Sequence, residues 1–259
     1  MKTLEPIPLL APVIFAGAGP GAALHLTLGV LRALQSADVV IHDRLVGPEI
    51  LALIPATAKR IAMGKEGFGP QTAQTGQTEI NAAIVAEART GARVVRLKGG
   101  DCGIFGRLDE EIAALEAAGL TCKILPGLTT AAVAAAEIGQ SLTRRGRNAS
   151  LRIVTGHDMA GFAEQDWHGM ARPGEVTAIY MGRKSARFIQ GRLMMHGAAP
   201  DTAVTLIENV SRPDQRILAA SLATLPGAAA LLDGPAIILF GLAPRQAAQI
   251  LPRLQEALA

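Results

Sequence analysis

Through its first half, the chain alternates short apolar runs with longer runs of helical period. Val13 to Ala16, Val39 to Ile41, Arg60 to Met63, Val94 to Leu97 and Cys122 to Leu125 have the length and branched content of strands. Ala22 to Gln35 carries Leu24, Leu28, Leu31 and Leu34 on one helical face, and Glu79 to Arg89 and Asp109 to Ala118 predict two further helices. Such β-α alternation predicts a mostly parallel sheet covered by helices.

After Pro126-Gly127 the rhythm changes. A small-residue helix from Thr129 to Ile138 leads into the basic loop Arg144-Arg145-Gly146-Arg147. Strands are expected at Leu151 to Thr155, Val176 to Met181, Ala203 to Glu208, Arg216 to Ala219 and Ala236 to Phe240. Fewer helices separate them, the clearest being Ser185 to Met195 and Gln246 to Leu258. The expected fold is therefore α/β in two domains, 1–126 with a mostly parallel sheet and 127–259 with a mixed sheet.

Composition narrows the class. With 259 residues, 49% hydrophobic and 18% charged, the chain can bury a core, which excludes disorder. Its mean hydropathy of +0.30 raises the question of a membrane. Gly, Pro or a charge interrupts every 18-residue stretch, so a soluble protein is expected. Pro6, Pro8 and Pro12 break the apolar run Ile7 to Ala18, which argues against a signal peptide. Cys102 and Cys122 lack C-x-x-C spacing, and a reducing cytoplasm fits them best.

A formal charge of +3 with one Trp and one Tyr makes no case for nucleic acid. The cations are unevenly chosen, 19 Arg against 6 Lys. Arginine forks onto carboxylates and phosphates, so an anionic ligand is allowed, although a GC-rich genome gives the same bias.

Candidate chemistry gathers at three glycine-rich loops. Gly17-Ala18-Gly19-Pro20-Gly21 follows the first strand, Gly99-Gly100-Asp101 follows the fourth, and Pro126-Gly127-Leu128-Thr129-Thr130 follows the fifth. In an open α/β sheet such loops share the carboxyl edge where ligands sit. The first has the spacing G-x-G-x-G, not G-x-G-x-x-G, and Pro20 removes one N–H, which demotes a dinucleotide cradle. Asp101 and Thr129 also fit plain capping roles. Asp43 leaves the second strand at the same edge, as a turn former or a cleft carboxylate. Lys65 follows the third strand; an isolated lysine is usually solvated, but together with Asp43 it has the groups to handle a proton. The five histidines show no metal-binding spacing, and no G-x-S-x-G elbow is present.

In order along the chain, GAGPG (Gly17–Gly21), ADVVIHDRLV (Ala37–Val46), Gly64-Lys65, Glu79-Ile80-Asn81, VVRLKGGD (Val94–Asp101), IFGR (Ile104–Arg107), Pro126-Gly127, SLTR (Ser141–Arg144), VTGH (Val154–His157), Tyr180-Met181-Gly182 and Glu208-Asn209 resemble the tetrapyrrole methylase family. Within it they are most similar to the uroporphyrinogen-III C-methyltransferases. The resemblance runs from Val13 to Leu242.

It implies S-adenosylmethionine-dependent methylation of two ring carbons of uroporphyrinogen III, giving precorrin-2 by way of precorrin-1, for sirohaem or cobalamin, with S-adenosylhomocysteine as by-product and no metal. It further implies a homodimer with an active-site trough between the domains. Cysteine usage gives the expectation of a cytoplasmic protein, composition that of no membrane or nucleic-acid partner, and the length of 259 residues that of no room for the dehydrogenase–ferrochelatase module some relatives carry. By resemblance, cofactor contacts fall on Pro20, Gly99, Gly100, Asp101, Ile104, Thr129, Thr130 and Met181, and the proton-handling pair on Asp43 and Lys65. The substrate carries eight carboxylates, for which Arg44 and Arg144 are candidate clamps within matched motifs, and Arg145 and Arg147 beside them.

The chain departs from the family pattern at Cys102-Gly103 after GGD, at Leu108-Asp109 after FGR, at Val210, and in a longer Lys65 loop reading Gln71 to Thr78 before Glu79. These departures bear on substrate choice. The competing readings are a methylase acting on a later corrin precursor, a nicotinamide-dependent oxidoreductase built on the Gly17 loop, and a binding protein that has lost catalysis.

Overall fold

A computed structural model describes residues 12–63, 70–158 and 161–245. The chain divides into two compact units, Met1–Thr129 and Thr130–Ala259.

The first unit is built on β1 (Val13–Gly17), α1 (Leu28–Gln35), β2 (Val39–Asp43), α2 (Pro48–Leu51), β3 (Lys59–Met63), α3 (Pro70–Arg89), β4 (Val94–Lys98), α4 (Leu108–Ala117) and β5 (Cys122–Leu125). Its five strands lie in the order β3-β2-β4-β1-β5, and every pairing is parallel. All five therefore end at one edge, and the loops that follow them share it. The two-residue period of a strand sorts the side chains onto two faces. Ile14, Ala16, Val40, Val95 and Leu97 pack with Val30, Leu34 and Ile50 of α1 and α2. Val13, Phe15, Val39, Ile41 and Val94 pack with Ile80, Ile84 and Leu115 of α3 and α4. Arg96 and Lys98 alternate with Val94 and so point to this second face, where both are buried.

Asp38 and Arg93 tie the amino ends of β2 and β4 together. The Arg93 guanidinium donates to Asp38 at 2.6 and 2.9 Å, and the Arg93 N–H adds a bond at 2.9 Å. These bonds lower the Asp38 carboxyl from its ordinary value of 3.8 to about 2. A depressed carboxyl stabilises the fold above its ordinary range and loses that contribution as the pH falls through the depressed value. The margin of wild type over Asp38→Asn should thus be constant from neutral pH to about 4 and vanish near pH 2 in urea titrations. It will be small, because both side chains are about half exposed and screened by solvent.

The second unit contains α5 (Thr130–Glu137), β6 (Arg152–Thr155), β7 (His157–Asp158), β8 (Gly161–Phe162), α6 (Trp167–Met170), β9 (Thr177–Tyr180), α7 (Ala186–Met195), β10 (Ala203–Glu208), β11 (Arg216–Ser221), α8 (Leu225–Ala230) and β12 (Ala236–Phe240). Its main sheet runs β11-β10-β12-β9-β6. Three pairings are antiparallel and β6-β9 is parallel, which makes the sheet mixed. Ile238 and Phe240 face α7 and α8, while Ile237 and Leu239 face α5.

Two helices differ from the sequence pattern. The expected helix over Ala22 to Gln35 is a short 3-10 turn at Ala23–His25 followed by α1. Leu26 and Thr27 are extended, and the Thr27 hydroxyl accepts from the Val30 N–H at 3.3 Å, so the cap starts the helix there. Leu24 and Leu28 are exposed, and of the four leucines only Leu34 is fully buried. The polar stretch Gln71 to Thr78, expected as a loop, lies inside α3. The helix expected at Gln246 to Leu258 lies outside the described residues. Among the described residues, no helix is long and apolar enough to cross a membrane.

Candidate functional site

Three loops meet backbone to backbone at the carboxyl edge of the parallel sheet. Gly19 and Gly100 exchange hydrogen bonds at 3.0 and 2.7 Å, and the Ala18 N–H donates to the Lys98 carbonyl at 2.7 Å. Both glycines lie at φ +70, where a Cβ is strained. A methyl group on Gly17 would stand 2.6 Å from Gly127 Cα and 2.8 Å from the Gly100 oxygen. The Gly17, Gly99-Gly100 and Gly127 loops thus close on one another with no room for side chains between them.

Asp101 fastens the junction. One carboxylate oxygen accepts from the Gly103 N–H at 2.9 Å and the other from the Gly127 N–H at 3.0 Å. Its capping role and its place at the ligand edge are therefore compatible. Gly127→Ala should cost about 1–3 kcal/mol, the usual penalty of overpacking. Chemical denaturation would measure it, and the junction should lose whatever ligand it holds.

Asp43 ends β2 with its side chain 28% exposed. Beneath it lies a buried charge array that motif reading passed over. Arg96 Nη2 donates to Asp43 Oδ1 at 2.6 Å and to Glu111 Oε1 at 3.0 Å, and Arg96 Nε reaches the same Glu111 oxygen at 3.1 Å. Lys98 Nζ holds Glu111 Oε2 at 2.9 Å, and Gln77 Nε2 lies 3.3 Å from Oε1. Burial pulls the Arg96 guanidinium down, but the charges of Asp43 and Glu111 outweigh it and keep it above its ordinary value. The signal in the sequence was the polar pair Arg96 and Lys98 inside an otherwise apolar strand; their partner Glu111 comes from the first turn of a helix.

Pro20 is buried, Gly99 and Ile104 are half-buried, and Thr129 ends the first unit. Ile104 leads into Phe105 and Arg107, two non-glycine residues at φ 52 and 55. Such strain gathers at working segments. Arg107 is forked onto Glu110 at 2.7 and 2.6 Å. Cys102 is buried 3.8 Å from the Leu125 carbonyl, and burial, followed by the Asp101 charge, pushes its thiol up. It acts as packing and not as a nucleophile. Arg44 is exposed one residue beyond Asp43. Lys65 lies outside the described residues.

In the second unit, Thr130 opens α5, and the Ala131 N–H donates to the Tyr180 hydroxyl at 2.9 Å. Met181 follows at φ 51, 48% exposed. Arg144, Arg145 and Arg147 border an open cavity of about 460 Å³ together with Gly146, Pro173 and Gly174. Burial and then the charges of Arg144 and Arg245 lower the Arg147 guanidinium. Among the described residues, no group of three His, Cys, Asp or Glu side chains could hold a metal.

Fold and loops define an α/β protein whose parallel sheet presents a glycine-lined ligand edge with a carboxylate beside it. Residues 12–226 match the family model of the Tetrapyrrole (Corrin/Porphyrin) Methylases, and the chain belongs to that family. Siroheme synthase 3 of Aeromonas hydrophila is 43% identical over 229 residues, 88% of this chain and 48% of that protein. The chain thus spans about half the length of the curated relatives it matches. The native uroporphyrin III C-methyl transferase from Thermus thermophilus superimposes with a TM-score of 0.76 at 30% identity, covering 91% of this chain and 98% of that one. The same enzyme complexed with S-adenyl homocysteine gives 0.75 at 31% identity, with 88% and 91% covered.

Proposed function

We propose that this protein transfers methyl groups from S-adenosylmethionine to two ring carbons of uroporphyrinogen III, forming precorrin-2. The observation that carries this reading is the junction of Gly17, Gly100 and Gly127 beside Asp43, in a chain of this family. A Cβ at Gly17 or Gly127 would run into the backbone of the neighbouring loop, so these glycines let the three loops close, and the ligand is proposed to lie against the edge they form. Pro20, Gly99, Gly100, Asp101, Ile104 and Thr129 would hold S-adenosylmethionine, with Thr130 and Met181 assigned to the same ligand.

When bound, the cofactor supplies an electrophilic methyl group on a sulfonium. The chain's own tasks are to hold the pyrrole carbon in line, to exclude water and to manage the proton that the ring must lose. Asp43 takes that proton and Lys65 returns charge balance, as their residue types suit. A homodimer in the cytoplasm completes the proposal.

Arg144 would bind a substrate carboxylate. Its charge and that of Arg245 both bear on the Arg147 guanidinium, and an incoming anion would relieve that excess of positive charge. Arg144→Gln should raise KM for the tetrapyrrole about tenfold, the scale of one charged hydrogen bond, and leave cofactor affinity unchanged. Steady-state kinetics and calorimetry separate the two.

The direct test is anaerobic incubation with S-adenosylmethionine and uroporphyrinogen III, followed by product mass. A gain of two methyl groups is expected. No gain, with tight S-adenosylmethionine binding, would transfer the assignment to a later corrin substrate, and binding of NAD alone would overturn the class.

A further inference from the structure

We infer that Arg96 is a positioning residue that sets Asp43 from beneath, an inference that rests on the proposed methyl transfer. Arg96 sits in the central strand β4, in register with Ile41 of β2 and Phe15 of β1. Asp43 lies two residues beyond Ile41, on the same face of the sheet. The strand period therefore aims guanidinium and carboxylate at each other, and they meet at 2.6 Å.

Arg96 has the apolar Phe15 and Ile41 to either side in the sheet and the buried Glu111 carboxylate against it, so its charge is partnered inside before it reaches Asp43. What arginine adds is its fork. Glu111 holds Nε and Nη2 from one side, and Nη1 lies 3.3 Å from the Leu97 carbonyl. The guanidinium is thus fixed before it reaches Asp43.

Exposure gives the array a direction. The side chains of Glu111, Arg96 and Lys98 are 0%, 2% and 4% exposed, whereas Asp43 is 28% exposed. Asp43 is the end that faces solvent and ligand. Arg96 pins Oδ1 and thereby fixes the plane in which the carboxylate presents itself to a ring proton. Two cations stand against two carboxylates, so the buried array is balanced while Asp43 is ionised. Among the described residues, the charged and titratable groups around Asp43 are Arg96 and Lys98 from β4 and Glu111 from α4, with His42 and Arg44 adjacent in sequence.

The test uses the full chain with Arg96→Gln, Arg96→Lys, Asp43→Asn and the double variant Arg96→Gln/Asp43→Asn. Arg96→Gln should lower kcat 10- to 100-fold with KM for S-adenosylmethionine within twofold, and Arg96→Lys should recover part of the loss. In the Asp43→Asn background, Arg96→Gln should cost less than twofold further, because its effect runs through Asp43. A kcat within twofold of wild type in folded Arg96→Gln overturns the inference, as does an equal loss in both backgrounds.

A second measurement is independent of turnover. The Asp43 carboxyl carbon resonance, assigned by its disappearance in Asp43→Asn, should move at fixed neutral pH in Arg96→Gln, because its 2.6 Å donor is gone. An unmoved resonance overturns the positioning role even if the substrate is another tetrapyrrole. If wild type transfers no methyl group but the resonance moves, the functional reading fails and the Arg96–Asp43 coupling stands. If Arg96→Gln does not fold, Arg96→Lys takes its place in both experiments, with the same directions expected.

Discussion

Asp43→Asn is expected to slow methyl transfer by about 10²- to 10⁴-fold, the range supplied by a positioned proton acceptor. Asparagine keeps the size of the side chain and an oxygen for Arg96 Nη2, so the array beneath it need not collapse. It cannot take a proton. Affinity for S-adenosylmethionine, read by calorimetry, should stay within twofold, because the Asp43 side chain is not among the groups that close the glycine junction. Full activity in Asp43→Asn would move the proton to another group and remove Asp43 from the chemistry.

The largest effect on stability is expected at Glu111. It is fully buried and serves Arg96 and Lys98 with separate oxygens. Glu111→Ala leaves two cations without their shared partner in a closed interior. Breaking a buried pair from one side costs about 3–5 kcal/mol, so Glu111→Ala should be destabilised by at least that much in urea titrations. Glu111→Gln keeps the shape and two polar atoms and should cost less. A loss below about 1 kcal/mol for Glu111→Ala would mean that water reaches the array and dissolves the expected penalty.

The contrast between these two residues shows what was legible before the fold was known. Asp43 stood at the end of a buried strand inside a matched motif, and the sheet placed it at the edge those features require. The glycine loops were legible because three of them follow strands of one sheet: each alone fits a tight turn, and their shared edge brings them together. Glu111 gave no such signal. Its role depends on α4 lying across β4, a contact between segments that periodicity treats separately. Leu24 and Leu28 failed differently: Thr27 offered a hydroxyl cap and started the helix at Leu28, which leaves Leu24 outside it and Leu28 exposed in its first turn. Gln71 to Thr78 lacked an apolar stripe, and its place in α3 follows from the packing of Ile80 and Ile84 behind it. Lys65 lies outside the described residues, so its pairing with Asp43 stays a proposal.

The placement of β1 has a consequence for synthesis on the ribosome. Val13–Gly17 is made well before its partners, Val94–Lys98 and Cys122–Leu125. The nascent chain therefore carries an unpaired apolar strand until nearly the whole first unit has emerged. No earlier hairpin shields it, because parallel strands need a crossover. This segment is where a trigger-type chaperone would be expected to bind, and a ribosome stalled before Val94 should present it to proteases.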